Sequence, residues 1–199
     1  MKSSTVRRLF IAIDVSEELT LHFDEVLKRF RDDGSPKIRW VKPTNIHLTV
    51  KFLGDTAENM IQHIDSSMSA ITAECSPFSV HVHGLGAFPN LRAPRTLWWG
   101  VRGNMQPLVA MKNELESILE SKGFPRDRNT FAPHLTLGRI KRHLTSDEQQ
   151  RFKQSVANVG ELASLNLIIS KISLIESRLN QHREKYVHVH EYSLKMGEK

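Results

Sequence analysis

The spacing of hydrophobic residues along the chain predicts eight strands and four helices. Short apolar runs or alternation with a period of two indicate strands, whereas apolar residues three and four positions apart indicate amphipathic helices. The predicted strands cover residues 7–14, 38–41, 47–53, 78–83, 96–101, 131–140, 165–176 and 186–194. The predicted helices cover residues 17–30, 57–73, 107–122 and 146–156.

The order and length of these elements predict an α+β protein. Strands outnumber helices and most connections are short, which favours antiparallel sheets over a doubly wound parallel sheet. No linker rich in proline, glycine or serine separates independent domains. We therefore expect residues 1–199 to form a single domain, and a motif that recurs in each half suggests two similar lobes.

Charge and cysteine content indicate which kind of partner and which cellular compartment the protein suits. The formal net charge of +6 suits a polyanionic partner without requiring one. The single cysteine, Cys75, excludes an intramolecular disulfide framework and favours a reducing compartment. The apolar run at residues 9–15 contains Asp14 and is too short for a signal peptide or a membrane span. We therefore expect a cytoplasmic protein that does not insert into a membrane.

The recurring motif is His-Leu-Thr followed by an aliphatic residue, at residues 47–50 and again at residues 134–137. In a strand, side chains alternate between the two faces, so each motif presents its histidine and its threonine on one face. One such motif is unremarkable, since a single strand histidine usually has a structural role. Two copies with the same parity predict that His47, Thr49, His134 and Thr136 meet across a cleft.

Two histidines and two threonines are suited to displacement at phosphorus. The unperturbed pKa of histidine is about 6.5, so near neutral pH one imidazole can accept a proton while the other donates one. Displacement of an oxygen leaving group needs a base for water and an acid for the departing alkoxide. The threonine hydroxyls can donate hydrogen bonds to the non-bridging phosphoryl oxygens.

Two cationic residues follow the motifs. Lys51 continues the face of His47 and Thr49 on a regular strand, which predicts that it adds positive charge to the cleft. Arg139 has the wrong parity for that face, but Gly138 before it permits a β-bulge that would redirect the arginine. Because a guanidinium matches a phosphate group well, we expect Arg139 to bind substrate.

Two other functions fit parts of the sequence. The pairs His81/His83 and His188/His190 have spacing that can bind a metal. No obvious carboxylate or cysteine lies at ligand spacing beside them, although residues distant in the sequence could supply one. A non-catalytic module for single-stranded RNA would combine basic charge with aromatic residues that stack on bases, for which the candidates are Trp40, Phe52, Phe88, Trp98 and Trp99. No nucleophile elbow and no phosphate-binding glycine-rich loop appears.

Four segments together resemble the RNA 2′,3′-cyclic phosphodiesterases of bacteria and archaea, also called 2′-5′ RNA ligases, in the 2H phosphoesterase superfamily. The segments are RLFIAID at residues 8–14, WVKPTNIHLTVKFLG at 40–54, PRTLW at 94–98 and FAPHLTLGR at 131–139. They occur in the order typical of the family and span most of the chain. Gly138 departs mildly, since alanine is often expected at this position.

This resemblance implies a fold, an activity and a division of roles. The implied fold has two antiparallel-sheet lobes with outer helices around a central cleft. The implied activity is hydrolysis of RNA 2′,3′-cyclic phosphate ends to 2′-phosphomonoesters, without a metal or other cofactor, together with a slow, reversible ligation that makes 2′-5′ linkages in tRNA halves. By the same resemblance, His47 is the proton donor and His134 the proton acceptor. Other cyclic phosphodiesters and 2′-5′ oligonucleotides remain alternative substrates.

Overall fold

The structure, a computed structural model, describes residues 5–32, 38–160, 164–180 and 183–195. Its strands are β1 (Val6–Asp14), β2 (Ile38–Trp40), β3 (His47–Ala57), β4 (Phe78–Phe88), β5 (Thr96–Arg102), β6 (His134–Ile140), β7 (Leu165–Ile169), β8 (Lys171–Asn180) and β9 (Arg183–Ser193). Its helices are α1 (Glu17–Asp32), α2 (Ile61–Glu74), α3 (Gln106–Glu120) and α4 (Ser146–Gly160).

All nine described strands belong to one antiparallel sheet. Their order is β7-β4-β5-β6-β3-β1-β8-β9. The short strand β2 pairs with β6 on the edge opposite β5. In the middle, β3 and β6 are paired only at Leu48 and Leu135, whereas both strands form longer ladders with their outer neighbours. The sheet therefore divides at this point into two antiparallel halves, and the predicted α+β fold with two lobes is confirmed.

The helices cover the sheet from outside and bury its core face. Helix α3 contacts α2 and β3, and α2 also contacts β9, so these two helices cover the half that contains β1. Helix α4 contacts α1 and β4, and the ring of Phe30 lies 5.6 Å from Trp40 and 6.2 Å from Phe152. One hydrophobic core runs beneath both halves. None of the described helices is long and apolar enough to cross a lipid bilayer.

Several predicted boundaries are wrong: β3 extends to Ala57, so α2 begins only at Ile61, and two further differences concern β4 and the run at residues 165–176. The run predicted as one strand at residues 165–176 is interrupted at Ser170, because β7 pairs with β4 in one half and β8 pairs with β1 in the other. Strand β4 continues to Phe88, although its glycines predicted a loop from residue 84. Gly86 is needed there because a Cβ atom would come within 2.2 Å of the Trp98 indole.

Candidate active site

A cleft of about 1290 Å³ lies where the two halves of the sheet meet. Residues of both halves line it: Arg8, Leu9, Phe10, Arg39, Trp40, Val41, Lys42, Asn45, His47, Thr49, Phe52, Gly54, Phe88, Thr96, His134, Thr136, Arg139, Lys141, Ser177, Leu179 and Tyr186. The cleft thus brings together both histidines, both threonines and the arginine that the sequence predicts to act together.

The two motifs meet at the pair formed by Leu48 and Leu135. We expected the two strands to lie on opposite sides of the cleft, but they are neighbours in the sheet. Both leucines are buried in the core, so the residues that flank them, each partly buried, face the cleft. Because the strands are antiparallel, His47 lies on the side of Thr136, and His134 on the side of Thr49.

Both imidazoles are held by a backbone carbonyl two residues earlier in the chain. Nδ1 of His47 lies 2.8 Å from the Asn45 carbonyl oxygen, and Nδ1 of His134 lies 2.6 Å from that of Ala132. A carbonyl oxygen can only accept, so each Nδ1 carries a proton and donates it. The nitrogen that gains or loses a proton is therefore Nε2 in both histidines.

Aromatic rings pack against each imidazole. His47 has its ring centroid 4.8 Å from Phe10 and 5.2 Å from Tyr186, and these two rings also contact each other. His134 has its centroid 4.9 Å from Phe88 and 6.3 Å from Trp98. These contacts restrict rotation of the imidazoles, so that Nε2 keeps its direction.

A β-bulge follows the threonine in each motif. In β3 the register with β1 skips Val50, and in β6 the register with β5 skips Leu137. A bulge of one residue reverses the alternation of the side chains beyond it. Arg139 consequently lines the cleft, as predicted from Gly138, and Phe52 lines it at the same offset from its own histidine.

The bulge in β3 also makes the prediction for Lys51 wrong. This lysine is only 1% exposed, is absent from the cleft lining, and is paired with the core residue Ile11 across β1. Its Nζ donates to Glu116 Oε2 at 2.6 Å and to the Pro125 carbonyl oxygen at 2.8 Å. Lys51 therefore stabilises the core behind the cleft, on the face opposite to His47.

A second lysine completes this buried ion network. Nζ of Lys112 donates to Glu116 Oε1 at 2.7 Å, to Asp127 Oδ2 at 2.6 Å and to the carbonyl oxygen of the bulged Val50 at 3.0 Å. Burial alone would raise the pKa of Glu116, but the hydrogen bonds from Lys112 and Lys51 outweigh it and lower this pKa to about 2. The network thus connects helix α3 directly to the bulge that shapes the cleft.

The charge of the cleft has one sign. Its lining includes five cationic side chains, Arg8, Arg39, Lys42, Arg139 and Lys141, and no aspartate or glutamate among the described residues. Outside the cleft, three exposed arginines, Arg126, Arg142 and Arg178, form ion pairs with carboxylates. A cleft with this lining attracts anionic ligands.

The pair His188/His190, considered for metal binding, does not converge on one ion. Val189 is bulged in the ladder between β8 and β9, so His188 and His190 point to opposite faces and contact Asp14 and Asp65 respectively. Among the described residues, Asp14, His188 and Glu191 could hold an ion, with one ligand atom each within 4.8 Å of one another. None of these three residues lines the cleft.

Sequence reasoning missed Phe10 and Tyr186 as neighbours of His47. Phe10 belongs to an apolar strand that reads as core, and Tyr186 lies far away in the sequence. Of the aromatic residues considered for base stacking, Trp40, Phe52 and Phe88 line the cleft, and Phe52 is 68% exposed. Trp99 is buried, which excludes it from stacking on a base.

The comparisons with known proteins agree with this fold and cleft. The family model described as LigT like Phosphoesterase matches twice, at residues 13–98 and 101–186. The chain belongs to this family of 2H phosphoesterases, as the resemblance of its motifs indicates.

Two relatives with the same name are similar to most of the chain. The chain is similar to the RNA 2′,3′-cyclic phosphodiesterase of Archaeoglobus fulgidus, with 36% identity over 78% of this chain and 85% of the relative. It is also similar to the protein of that name from Aquifex aeolicus, with 32% identity over 95% of this chain and 98% of the relative.

Among solved structures, the protein TT0787 of Thermus thermophilus has a TM-score of 0.76 and 21% identity, over 96% of this chain and all of that one. Escherichia coli LigT complexed with 3′-AMP has a TM-score of 0.74 and 20% identity, with the same coverage. At these identities the likeness supports the fold.

Proposed function

We propose that this protein hydrolyses 2′,3′-cyclic phosphate ends of RNA to 2′-phosphomonoesters by acid–base catalysis with two histidines. The observation that carries the proposal is the pair His47 and His134, which line one cationic cleft with the same Nδ1 hydrogen bond. The curated relatives named RNA 2′,3′-cyclic phosphodiesterase support this substrate class. A cleft without carboxylates among the described residues also suits a polyanion.

The proposed reaction moves two protons at the two Nε2 atoms. Water attacks phosphorus while the bond from phosphorus to the 3′ oxygen breaks. His134 accepts the proton that water loses, and His47 donates the proton that the 3′ oxygen gains. This polarity rests on the family resemblance, because both histidines have equivalent backbone partners. Exchange with solvent then restores the starting protonation states, and no metal or other cofactor takes part.

The remaining roles concern the charge on the phosphoryl group. We propose that Thr49 and Thr136 donate hydrogen bonds to the two non-bridging oxygens, since each lies two residues after its histidine on the cleft face. Arg139 supplies a positive charge to the same anion through its redirected side chain. Lys51 has no place in this set because it is buried behind the sheet.

We also infer that the chain is one domain made of two pseudo-symmetric lobes. The family model matches each half once. Both halves contribute a histidine with the same carbonyl partner, two aromatic neighbours and a bulge after the threonine. Such symmetry accounts for an acid and a base of identical local sequence on the two sides of one phosphate.

We propose that the same site also catalyses a ligation, in which the cyclic phosphate is attacked by a hydroxyl of RNA instead of water. If a 5′-hydroxyl of a second RNA replaces water as the nucleophile, the same two proton transfers form a 2′-5′ phosphodiester. The substrates we infer for this step are tRNA halves, and the setting we infer is the cytoplasm, which the single cysteine favours.

The test supplies a short RNA that ends in a 2′,3′-cyclic phosphate and identifies the phosphomonoester formed. We expect a 2′-phosphate, and we expect His47→Ala or His134→Ala to lower kcat by about 10²–10⁴-fold with the fold retained. His63→Ala is the matched control, because His63 is exposed on α2 outside the cleft.

Three results would contradict parts of the proposal. A 3′-phosphate product would reverse the polarity of the two histidines. If His47→Ala and His134→Ala kept the RNA affinity of the parent protein, and the parent itself showed no turnover, a non-catalytic RNA-binding module would be favoured. Turnover only of other cyclic or 2′-5′ nucleotides would keep the chemistry and change the substrate.

A further inference from the structure

One wall of the cleft carries a concentrated positive charge beyond what the reacting phosphate requires. Strand β2 pairs with β6 so that Arg39 lies directly opposite Arg139. Lys141 follows Arg139 two residues later, and Lys42 follows Arg39 three residues later. All four side chains are exposed and line the cleft. We call these four residues the basic wall.

The positive charges of the basic wall are not neutralised by neighbouring carboxylates in the described part of the chain. Arginines directly opposite on neighbouring strands have Cα atoms about 5 Å apart, and like charges in this arrangement destabilise the pair. In the described part of the chain, no carboxylate lies within 4.0 Å of any of the four cationic groups. The arrangement therefore costs stability in the absence of an anionic ligand, and an anion bound beside the two arginines would offset this cost.

The opposite wall, on β1, β3, β8 and β9, has a different character. It presents Phe52 and Leu179, which are 68% and 80% exposed, together with Tyr186. Its cationic lining residue is Arg8, whereas the neighbouring Arg7 and Arg178 are both paired with Glu176. Exposed apolar and aromatic side chains suit bases and ribose better than phosphates.

We propose that the RNA strand on the 5′ side of the cyclic phosphate leaves the cleft along the basic wall, where Arg139 binds the reacting phosphate and Arg39, Lys42 and Lys141 bind the phosphates that precede it. The proposal rests on the proposed function and extends it from the reacting group to the polynucleotide. One phosphate at the reaction centre accounts for the two threonines and Arg139, but not for the three further cations. The substrate class is thus an oligonucleotide end, and a 2′,3′-cyclic mononucleotide is a poorer substrate.

A binding experiment tests the proposal without turnover. The probe is a hexanucleotide with a 5′ fluorophore and a 2′-phosphate end, and its Kd is measured by anisotropy at several salt concentrations. We expect Arg39→Gln, Lys141→Gln to weaken binding by roughly tenfold near physiological salt, because two exposed charge contacts are lost. The slope of log Kd against log salt concentration should fall by about 1.4, at about 0.7 for each phosphate contact on a single strand.

The matched control removes the same charges elsewhere. Arg102→Gln, Lys122→Gln changes one arginine and one lysine that are exposed, outside the cleft lining and unpaired with carboxylates in the described chain. This variant should keep the salt slope of the parent. An equal loss of slope in both variants would assign the effect to the general field of the protein and overturn the proposal.

Kinetics separates this proposal from the proposed function. The ratio of kcat/KM for the cyclic-phosphate hexanucleotide to that for a 2′,3′-cyclic mononucleotide should be well above one in the parent. It should fall by roughly tenfold in Arg39→Gln, Lys141→Gln. A ratio near one in the parent would refute the basic wall and leave the phosphodiesterase standing. Absence of turnover on both substrates would refute the proposed function itself.

Discussion

Each motif histidine donates from Nδ1 to a carbonyl oxygen two residues before it. These bonds leave Nε2 as the nitrogen that exchanges protons, and they are the same in both halves. The neighbouring rings differ: they are Phe10 and Tyr186 at His47, and Phe88 and Trp98 at His134. At the residue scale, the two histidines thus share the same kind of backbone partner and differ in the rings that pack against them.

The two proposed roles predict a bell-shaped pH dependence of kcat/KM. Activity requires one protonated and one neutral imidazole, so it falls at low pH when the base is protonated and at high pH when the acid is deprotonated. The measurement is kcat/KM for a cyclic-phosphate RNA from about pH 5 to pH 9. A flat profile over this range would contradict acid–base catalysis by the two histidines. In His134→Ala the residual rate should lose the acidic limb.

At the scale of elements, the bulges after Thr49 and Thr136 determine which side chains reach the cleft. They place Phe52 and Arg139 on the cleft face and Lys51 and Gly138 on the core face. The sequence suggested a bulge at Gly138 but offered no glycine beside Lys51. For this reason Arg139 was assigned correctly to the cleft and Lys51 was not.

Gly138 allows β2 to lie against β6. A Cβ atom at this position would approach Ile38 Cγ2 to 2.4 Å and Trp40 Cε3 to 3.1 Å. We expect Gly138→Ala to displace β2 and to reduce the free energy of unfolding by about 1–3 kcal/mol, as overpacking does. Denaturant titration measures the loss, and Ile38→Ala in the same chain should recover part of it. Additive losses in the double variant would contradict this explanation.

Replacement of Lys51 should reduce the stability of the fold and leave the catalytic rate unchanged. We expect Lys51→Met to lower the free energy of unfolding by about 3 kcal/mol, because a buried pair with Glu116 loses one partner. Well below the melting temperature, kcat/KM should stay close to that of the parent. The control is Lys171→Met, which breaks the exposed pair with Glu191 and should cost less than about 1 kcal/mol. Selective loss of kcat/KM in a stable Lys51→Met protein would return this lysine to the site.

At the scale of the whole molecule, two opposite electrostatic arrangements lie on the two faces of the sheet. On the core face, Lys51 and Lys112 are neutralised by Glu116 and Asp127. On the cleft face, the cations that line the cleft have no carboxylate among the described lining residues. The paired charges on the core face thus stabilise the fold, whereas the cations on the cleft face are available to an anionic ligand.

The buried network predicts loss of stability in acid. The pKa of Glu116 is about 2 in the folded protein against 4.5 in an unperturbed group, so the unfolded chain binds more protons between these values. Stability from this carboxylate is complete above about pH 4.5 and is lost as the pH falls towards 2, to a total of about 3 kcal/mol. Urea titrations between pH 6 and pH 2.5 measure the dependence. Glu116→Gln should flatten it, and an unchanged slope in this variant would contradict the assignment.

The sequence by itself determined the class of fold, the family and the four motif residues. Hydrophobic periodicity is local, so it predicts strands and helices from a few neighbouring residues. The motif gives the same face to histidine and threonine because the alternation of a strand is also local, and no bulge separates His47 from Thr49 or His134 from Thr136.

Only the tertiary structure decided which other residues join the site. Tyr186 reaches His47, and Arg39 lies opposite Arg139, through strand pairing between distant segments, and local patterns do not encode that pairing. The bulge at Val50 could not be predicted from local sequence either. Its carbonyl oxygen accepts a hydrogen bond from Lys112, on a helix about sixty residues away in the sequence. Long-range strand pairing and packing thus determine which residues line the cleft. Local sequence is sufficient to predict the two histidines proposed to carry the chemistry.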